Sequence, residues 1–424
     1  MHLFQRAAAI AATGLLALAA SSVALADPVT IRFLSQNKIE VFQPAIEAFE
    51  KANPNIKIEF QSVPFDSITP QIEARVGARD PGLDVFMVDS PRIPALANKG
   101  YLMNLNDLQA KAKAATSPEA YAVLTHKNDL FALPLWTSTQ LMFYNKALLD
   151  KAGIPHPGVD PKARLTYAQV VELGKKAQAA GAKWGFMFEQ ITRYYQLEPL
   201  FTSIGGGTGL KGPDNLEPDV NNPKWVEASK FYASLFEQNV APRGIPINQL
   251  AATFAAGETA FFVGGPWNIA PFDAAQGLNY GVALVPYFAG GKPSTPTDSW
   301  TIGVSPYSAH KAEAKAFAEF ITLNPVGNGL TTTYTPYITS NSQAFGPFID
   351  GFAKRLKPDV GPDVRSLIGY ELANTSVSRP RSLGYLSFEQ VLNNAFSDIR
   401  NGADPQATLD KAQAQLKSTL ARVR

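Results

Sequence analysis

Cysteine is absent from the 424 residues, which excludes a disulfide framework, thiolate metal sites, cysteine nucleophiles and a lipid-modified amino-terminal cysteine. Histidine is nearly absent. The four present never form an H-E-x-x-H pair, and His126, His156 and His310 stand far apart, so a metal or catalytic centre built on imidazole has no support. Neither G-x-S-x-G nor a phosphate-cradling P-loop occurs, which removes the commonest signatures of acyl and phosphoryl transfer. Charge of one sign is lacking too. The 38 basic and 36 acidic residues nearly balance, leaving no strongly basic face for nucleic acid. Repeats, heptad runs and low-complexity blocks are missing, and beyond the amino terminus no stretch is apolar enough to cross a bilayer.

What is present begins with a leader. Met1 to Arg6 are cationic, Ala7 to Ala20 apolar, and Ala24-Leu25-Ala26 is a small-x-small site before Asp27-Pro28, so residues 1–26 read as a cleaved secretory signal peptide. The apolar run is shorter than the ~20 residues of a membrane span. The mature chain is therefore expected in the periplasm, soluble and without membrane insertion. It is also too long for one core, since single cores stop growing at about 250–300 residues, and two lobes are predicted.

The spacing supports an α/β chain. Val29 to Leu34 alternates as a strand, Val41 to Ala52 carries helical spacing, and Ile56 to Phe60 alternates again. This β-α-β opening implies a parallel pair with a right-handed crossover. A helix at Ile68 to Ala78 and a buried strand at Leu83 to Val88 repeat it. Further on, strands are expected at Leu141 to Tyr144, Lys183 to Phe188, Gly281 to Val285 and Ser299 to Val304. Helices are expected at Lys146 to Ala152, Tyr167 to Ala180, Ala312 to Leu323 and from Pro405. Gly205 to Pro223 reads as a surface loop. It contains Gly207-Thr-Gly209-Leu-Lys-Gly212, a G-x-G-x-x-G without the strand before it or the helix after it that a pyrophosphate site needs. Strand ends in such sheets open into a crevice where ligands sit, and the loops after the strands are the first places to look.

Several stretches, in this order, carry a family likeness: Phe49-Glu-Lys-Ala-Asn-Pro-Asn-Ile-Lys-Ile58, Asp84-Val-Phe-Met-Val-Asp89, Gly100-Tyr-Leu-Met-Asn-Leu105, Ala132-Leu-Pro-Leu-Trp136 running to Tyr144-Asn-Lys146, Phe254 to Trp267, and Gly281-Val-Ala-Leu-Val-Pro286. Over essentially its whole mature length the sequence resembles extracellular solute-binding proteins of the maltose-binding type, the receptors of sugar importers driven by ATP hydrolysis. The resemblance implies two discontinuous α/β lobes in the periplasmic-binding-protein fold. They would comprise residues 27–137 with 298–330, and 138–297 with 331–424, with hinges near Trp136 to Thr139, Pro296 to Ser299 and Gly329 to Thr333. It also implies a carbohydrate ligand, permease subunits of an ABC transporter as partners, no cofactor, no metal and a monomeric receptor.

A sugar presents hydroxyls that need donors and acceptors, and C–H faces that suit flat rings. Trp267, in a turn after Gly264-Gly265-Pro266, matches the family position that stacks on ligand, with Gly265 beside it. Trp136 and Trp300 lie at expected hinges, whereas Trp184 and Trp225 sit in a strand and on a helical stripe and read as core. The crevice logic adds Gln36 and Asn37 after the first strand, Asp89 and Arg92 after the third, and Ser138 at a crossover. The resemblance would place Arg193 and Tyr195 at the cleft. Arg379 and Arg381 could grip an anionic substituent by bidentate hydrogen bonds, although surface ion pairing is the simpler account of them. The alternative function is a secreted carbohydrate-active hydrolase, which needs only two carboxylates at a suitable separation. Glu189, Glu198 and Asp89 are the residues that would have to supply them.

Overall fold

The computed structural model describes residues 28–298 and 300–423; the leader and its cleavage site lie outside them. Strand β1 (Val29–Ser35), helix α1 (Ile39–Ala52) and strand β2 (Ile56–Ser62) form the expected opening unit, with Val29 beside Ile56 in a parallel register. Burial on α1 falls on Phe42, Ala45, Ile46 and Phe49; of the helical spacing Val41, Ala45, Ala48 and Phe49 in the sequence, Ala45 and Phe49 are buried and the other two only partly. After helix α2 (Phe65–Gly77), strand β3 (Val85–Asp89) runs parallel to β1 and is buried along its length. Two antiparallel strands, Trp300–Val304 and Leu133–Pro134, complete a five-stranded sheet in the order β2, β1, β3, Trp300–Val304, Leu133–Pro134.

A second sheet has four strands in the order Tyr280–Ala283, Leu141–Asn145, Thr259–Gly264 and Trp184–Phe188. Only its last pair is parallel. Each sheet has its own apolar core. One gathers side chains from Ile31 to Trp136 and from Trp300 to Leu323; the other gathers Leu141 to Val285 and Ile338 to Leu420. The architecture is thus two-lobed and mixed α/β. The terminal helix Pro405–Leu420 docks through Leu409, Ala412, Leu416 and Leu420, all buried. Trp225 is fully buried and stacked on Phe201 with centroids 3.8 Å apart.

The segment around Gly207 differs from the expected loop. Leu210–Lys211 pairs antiparallel with Glu217–Pro218, and the short hairpin caps the core over Trp225. Gly209 has φ +84°, and a Cβ there would lie 2.6 Å from the indole, so the glycine serves close packing and no phosphate-binding helix follows.

One short ladder joins the lobes, Trp136–Thr137 paired antiparallel with Ile338–Thr339; a second, Thr295–Pro296 parallel to Ser376–Val377, ties together two segments of the second lobe. The third crossover comes later than Gly329 to Thr333. Leu330 and Tyr337 still pack on the first core, whereas Ile338 belongs to the second. The indole of Trp136 holds that segment by donating to the Thr331 hydroxyl at 2.9 Å.

Candidate functional site

Strand direction places the site. β1 and β3 lead to Gln36 and Asp89, while Trp184–Phe188 and Thr259–Gly264 lead through Glu189 to Gln190 and into the Gly265 to Trp267 turn. Gln36, Asp89, Gln190 and Trp267 line one cavity beside the crossovers, with about 940 Å³ of empty space including its mouth.

Eight of the twelve residues picked from the sequence line it: Gln36, Asp89, Ser138, Arg193, Tyr195, Trp267, Trp300 and Arg379. Asn37, Arg92, Trp136 and Gly265 do not. Asn37 is buried and donates to the Tyr337 hydroxyl at 2.8 Å. Arg92 is engaged by Glu389 at 2.9 Å and by the Thr69 hydroxyl. Trp136 is sandwiched, 5.4 Å from Phe42 and 4.4 Å from Tyr337 between centroids, so Tyr337 presents the ring to the cavity and Trp136 backs it. Gly265 lies under the Trp267 ring, and its neighbour Pro266 reaches the cavity instead.

The walls are aromatic on both lobes. Phe65 meets Trp300 edge to face at 5.8 Å, and across the cavity Tyr195 lies 6.4 Å from Trp267. Arg193 extends from the second lobe over the Phe65 ring at 4.7 Å and reaches Asp66 at 3.2 Å. The Asp66 side chain is 78% exposed, and a solvated pair of this kind contributes little.

The charged groups are mostly engaged with one another. Arg379, 5% exposed, uses Nε and Nη2 on Asp298 at 3.1 and 2.6 Å. Its Nη1 and Nη2 also reach Asp89, Nη1 reaches the Tyr385 hydroxyl, and its backbone N–H donates to Asp298 at 2.8 Å. All five guanidinium N–H groups are committed. The two carboxylates sharing this cation fare differently. Burial pushes Asp89 up, but the Arg379 and Arg92 guanidiniums outweigh it and hold Asp89 below the ordinary carboxylate range. Burial of Asp298, helped by the nearby Asp89, overrides the pull of Arg379 and raises it to about 6. Asp298 also adopts φ +59° at its crossover, a strained conformation for a non-glycine residue. Its carbonyl accepts from Ser138 Oγ at 2.6 Å, and Ser138 Oγ accepts from the Tyr195 hydroxyl at 2.8 Å. By contrast, the side-chain amides of Gln36 and Gln190 make no hydrogen bond among the described residues and face the cavity.

Arg381 leaves the cleft: its guanidinium binds the carbonyls of Ala122 and Thr125 on the first lobe. Phe65, Gln190, Asp298, Tyr337 and Glu389 were missed in the sequence. Phe65 and Gln190 follow strand ends and obey the rule that found Gln36. Tyr337 and Glu389 arrive by later crossovers, and no local signal marks them. Among the described residues no helix is long and apolar enough to cross a membrane, and no three histidine, aspartate or glutamate side chains are grouped to hold a metal.

Two lobes with separate cores, a short hinge ladder and strand ends converging on a shared cavity define a hinged, cleft-binding receptor. Known proteins agree. The family of bacterial extracellular solute-binding proteins matches residues 35–327, and the chain belongs to that family. The galactooligosaccharide-binding protein of Bacillus subtilis is 27% identical over 299 residues, covering 68% of this chain and 66% of its own length. An ABC substrate-binding protein from Listeria monocytogenes, solved with cycloalternan, superposes with a TM-score of 0.81 at 22% identity over 93% of this chain and 100% of its own. MalE3 of T. maritima, solved with maltose, gives 0.78 at 19% identity over 92% and 99%.

Proposed function

We propose that this protein is the periplasmic receptor of an ABC importer and that it captures a neutral sugar or sugar-like polyol in the cleft. The observation that carries the reading is the aromatic pair on each lobe, Phe65 with Trp300 and Tyr195 with Trp267, facing a cavity where two amides remain unpaired. Rings cover the C–H faces of a sugar and amides pair with its hydroxyls. Ligand touching both lobes favours the closed arrangement, since only differential affinity shifts such an equilibrium. The monomer then offers permease subunits a surface assembled from both lobes. The name of the Bacillus subtilis relative supports a carbohydrate ligand.

An anionic ligand fits poorly. Arg379 has no free N–H, Arg381 is directed elsewhere, and among the described residues Arg193 is the one lining cation with N–H groups to offer. A hydrolytic reading also loses ground. Asp89 is held by arginines, Glu198 is fully buried within the second lobe, and Glu189 lies behind Trp267.

A thermal-shift screen of residues 27–424 against neutral sugars, polyols and anionic glycosides tests the reading. A ligand present at 1,000 times its Kd adds about 4 kcal/mol to native stability. Stabilisation by neutral sugars or polyols, with the glycosides left uncleaved, is the expected result. Stabilisation by anionic glycosides alone, or release of reducing sugar beyond stoichiometry, would overturn it.

A further inference from the structure

Behind the aromatic wall of the second lobe lies a part-buried carboxylate with no cation beside it among the described residues. Glu189 follows the strand Trp184–Phe188, next to the turn that ends the neighbouring strand Thr259–Gly264. Its Oε1 accepts from the Trp267 indole at 2.7 Å. Its Oε2 accepts from Asn268 Nδ2 at 2.8 Å and from the Gly265 backbone N–H at 3.3 Å. No lysine, arginine or histidine pairs with it among the described residues, and it does not line the cavity.

Two adjacent glycines make the arrangement possible. A Cβ on Gly265 would sit 2.2 Å from the Trp267 ring, and one on Gly264 would lie 2.9 Å from Glu189 Oε2 and 2.8 Å from Asn268 Nδ2. The first clears space for the indole and the second for the carboxylate. A charge largely withdrawn from water without a counter-ion is costly, and a stable turn does not require one.

The chemistry of the three neighbours explains why a carboxylate stands here. Indole N–H, amide N–H and backbone N–H all donate, so both oxygens of the central group must accept, and only an ionised carboxylate has acceptors on both sides. A glutamine could satisfy the indole, but its NH₂ would then face two donors.

We infer that Glu189 is the positioning residue that fixes the Trp267 indole at one angle to the cavity and so sets the affinity for ligand. Its effect on ligand rests on the proposed sugar-binding role; its effect on the ring does not. The first arm therefore needs no ligand. In the full-length protein, the indole N–H resonance of Trp267 is assigned by its loss in Trp267→Phe and compared between wild type and Glu189→Gln by ¹⁵N–¹H correlation NMR. The wild type gives a single downfield signal, as expected for donation to a carboxylate, and Glu189→Gln moves it upfield and splits or broadens it. Adding Asn268→Asp to Glu189→Gln restores an acceptor opposite the glutamine NH₂ and returns the single signal, a rescue that a general loss of stability would not give. An unchanged resonance in Glu189→Gln, or no rescue in the double variant, overturns the inference.

The second arm titrates each variant with maltose and with a galacto-oligosaccharide. Glu189→Gln weakens whichever probe binds by roughly tenfold, the scale of one hydrogen bond to a charged group, and the double variant recovers it. Wild-type affinity in Glu189→Gln would refute the role in binding. If the wild type bound neither probe, the sugar reading would fail on its own while the NMR arm still decided whether Glu189 orients the ring.

Discussion

The aromatic wall of the second lobe and the ionic seam at the hinge are neighbours with opposite use of their polar groups. In the wall, polar atoms hold the rings from behind: Glu189 grips Trp267, Ser138 receives the Tyr195 hydroxyl, and the ring faces stay open to the cavity. In the seam, Arg379, Asp89 and Asp298 satisfy one another, and Arg92 pairs with Glu389 across the lobes. In the proposed reading the wall meets the ligand. The seam joins two parts of the chain, although all its residues but Arg92 line the same cavity. Lining a pocket and serving its ligand are therefore separate properties, told apart by counting which donors and acceptors are still free.

Removing the seam's cation should give the largest effect. Arg379→Leu leaves Asp89 and Asp298 buried and facing each other, and breaking a buried ion pair from one side costs about 3–5 kcal/mol. Urea unfolding should show that loss. A loss below about 1 kcal/mol would mean that the seam is not structural and would return Arg379 to consideration as a ligand group. The wall should respond in the other currency. Trp267→Ala is expected to cost roughly 2–4 kcal/mol of sugar binding by calorimetry, the range of central aromatic contacts, and only about 1 kcal/mol of stability. A variant that binds normally would remove Trp267 from the site and dissolve the contrast.

The two regions were not equally legible in the sequence. The lining of the wall was legible, because Trp267 follows a strand end and a Gly-Gly-Pro turn, and because Tyr195 sits where family likeness places the cleft. Gln36 and Asp89 followed from strand direction alone. The seam was half seen: Asp89, Arg92 and Arg379 were chosen as ligand groups, yet Asp298 and Glu389, the partners that occupy them, come from distant segments. Charge type can be read from a sequence, but whether a charge is already answered depends on chain crossings hundreds of residues apart. Trp136 failed for a related reason. Its sequence position at a hinge is correct, but Tyr337, from the third crossover, covers its outer face.

Acidity separates the regions by a smaller amount. Burial holds Asp298 at about 6 in the folded chain against an ordinary 3.8. Between those values the native state keeps a proton that the unfolded chain has released. The associated stability is present at low pH, is lost as pH rises through about 4 to 6, and stays constant above. The stability advantage of wild type over Asp298→Asn should therefore shrink across that window by up to about 1.4 kcal/mol per pH unit. Asp89, lowered by its arginines, acts in the opposite direction at more acidic pH and is common to both proteins. A difference that grows between pH 4 and 6 would show that Asp298 is ionised throughout and that Arg379, not burial, sets its charge.

The smallest effect is expected where wall and seam meet. Glu198 shares the helix Tyr194–Ser203 with Tyr195 and is fully buried; burial, with Asp298 nearby, lifts it well above the ordinary carboxylate range. One oxygen accepts from the Tyr194 hydroxyl at 3.3 Å, and the other has no partner among the described residues. Burial and the nearby Asp298 thus bias Glu198 towards its neutral form. Glu198→Gln, equal in size and charge to that form, should then shift stability by no more than about 1 kcal/mol at pH 7. It should also leave sugar affinity unchanged. A loss of about 3 kcal/mol or more, the scale of a broken buried ion pair, would mean that Glu198 is ionised and belongs to the seam. The boundary between the two regions would then move one helical turn behind the wall.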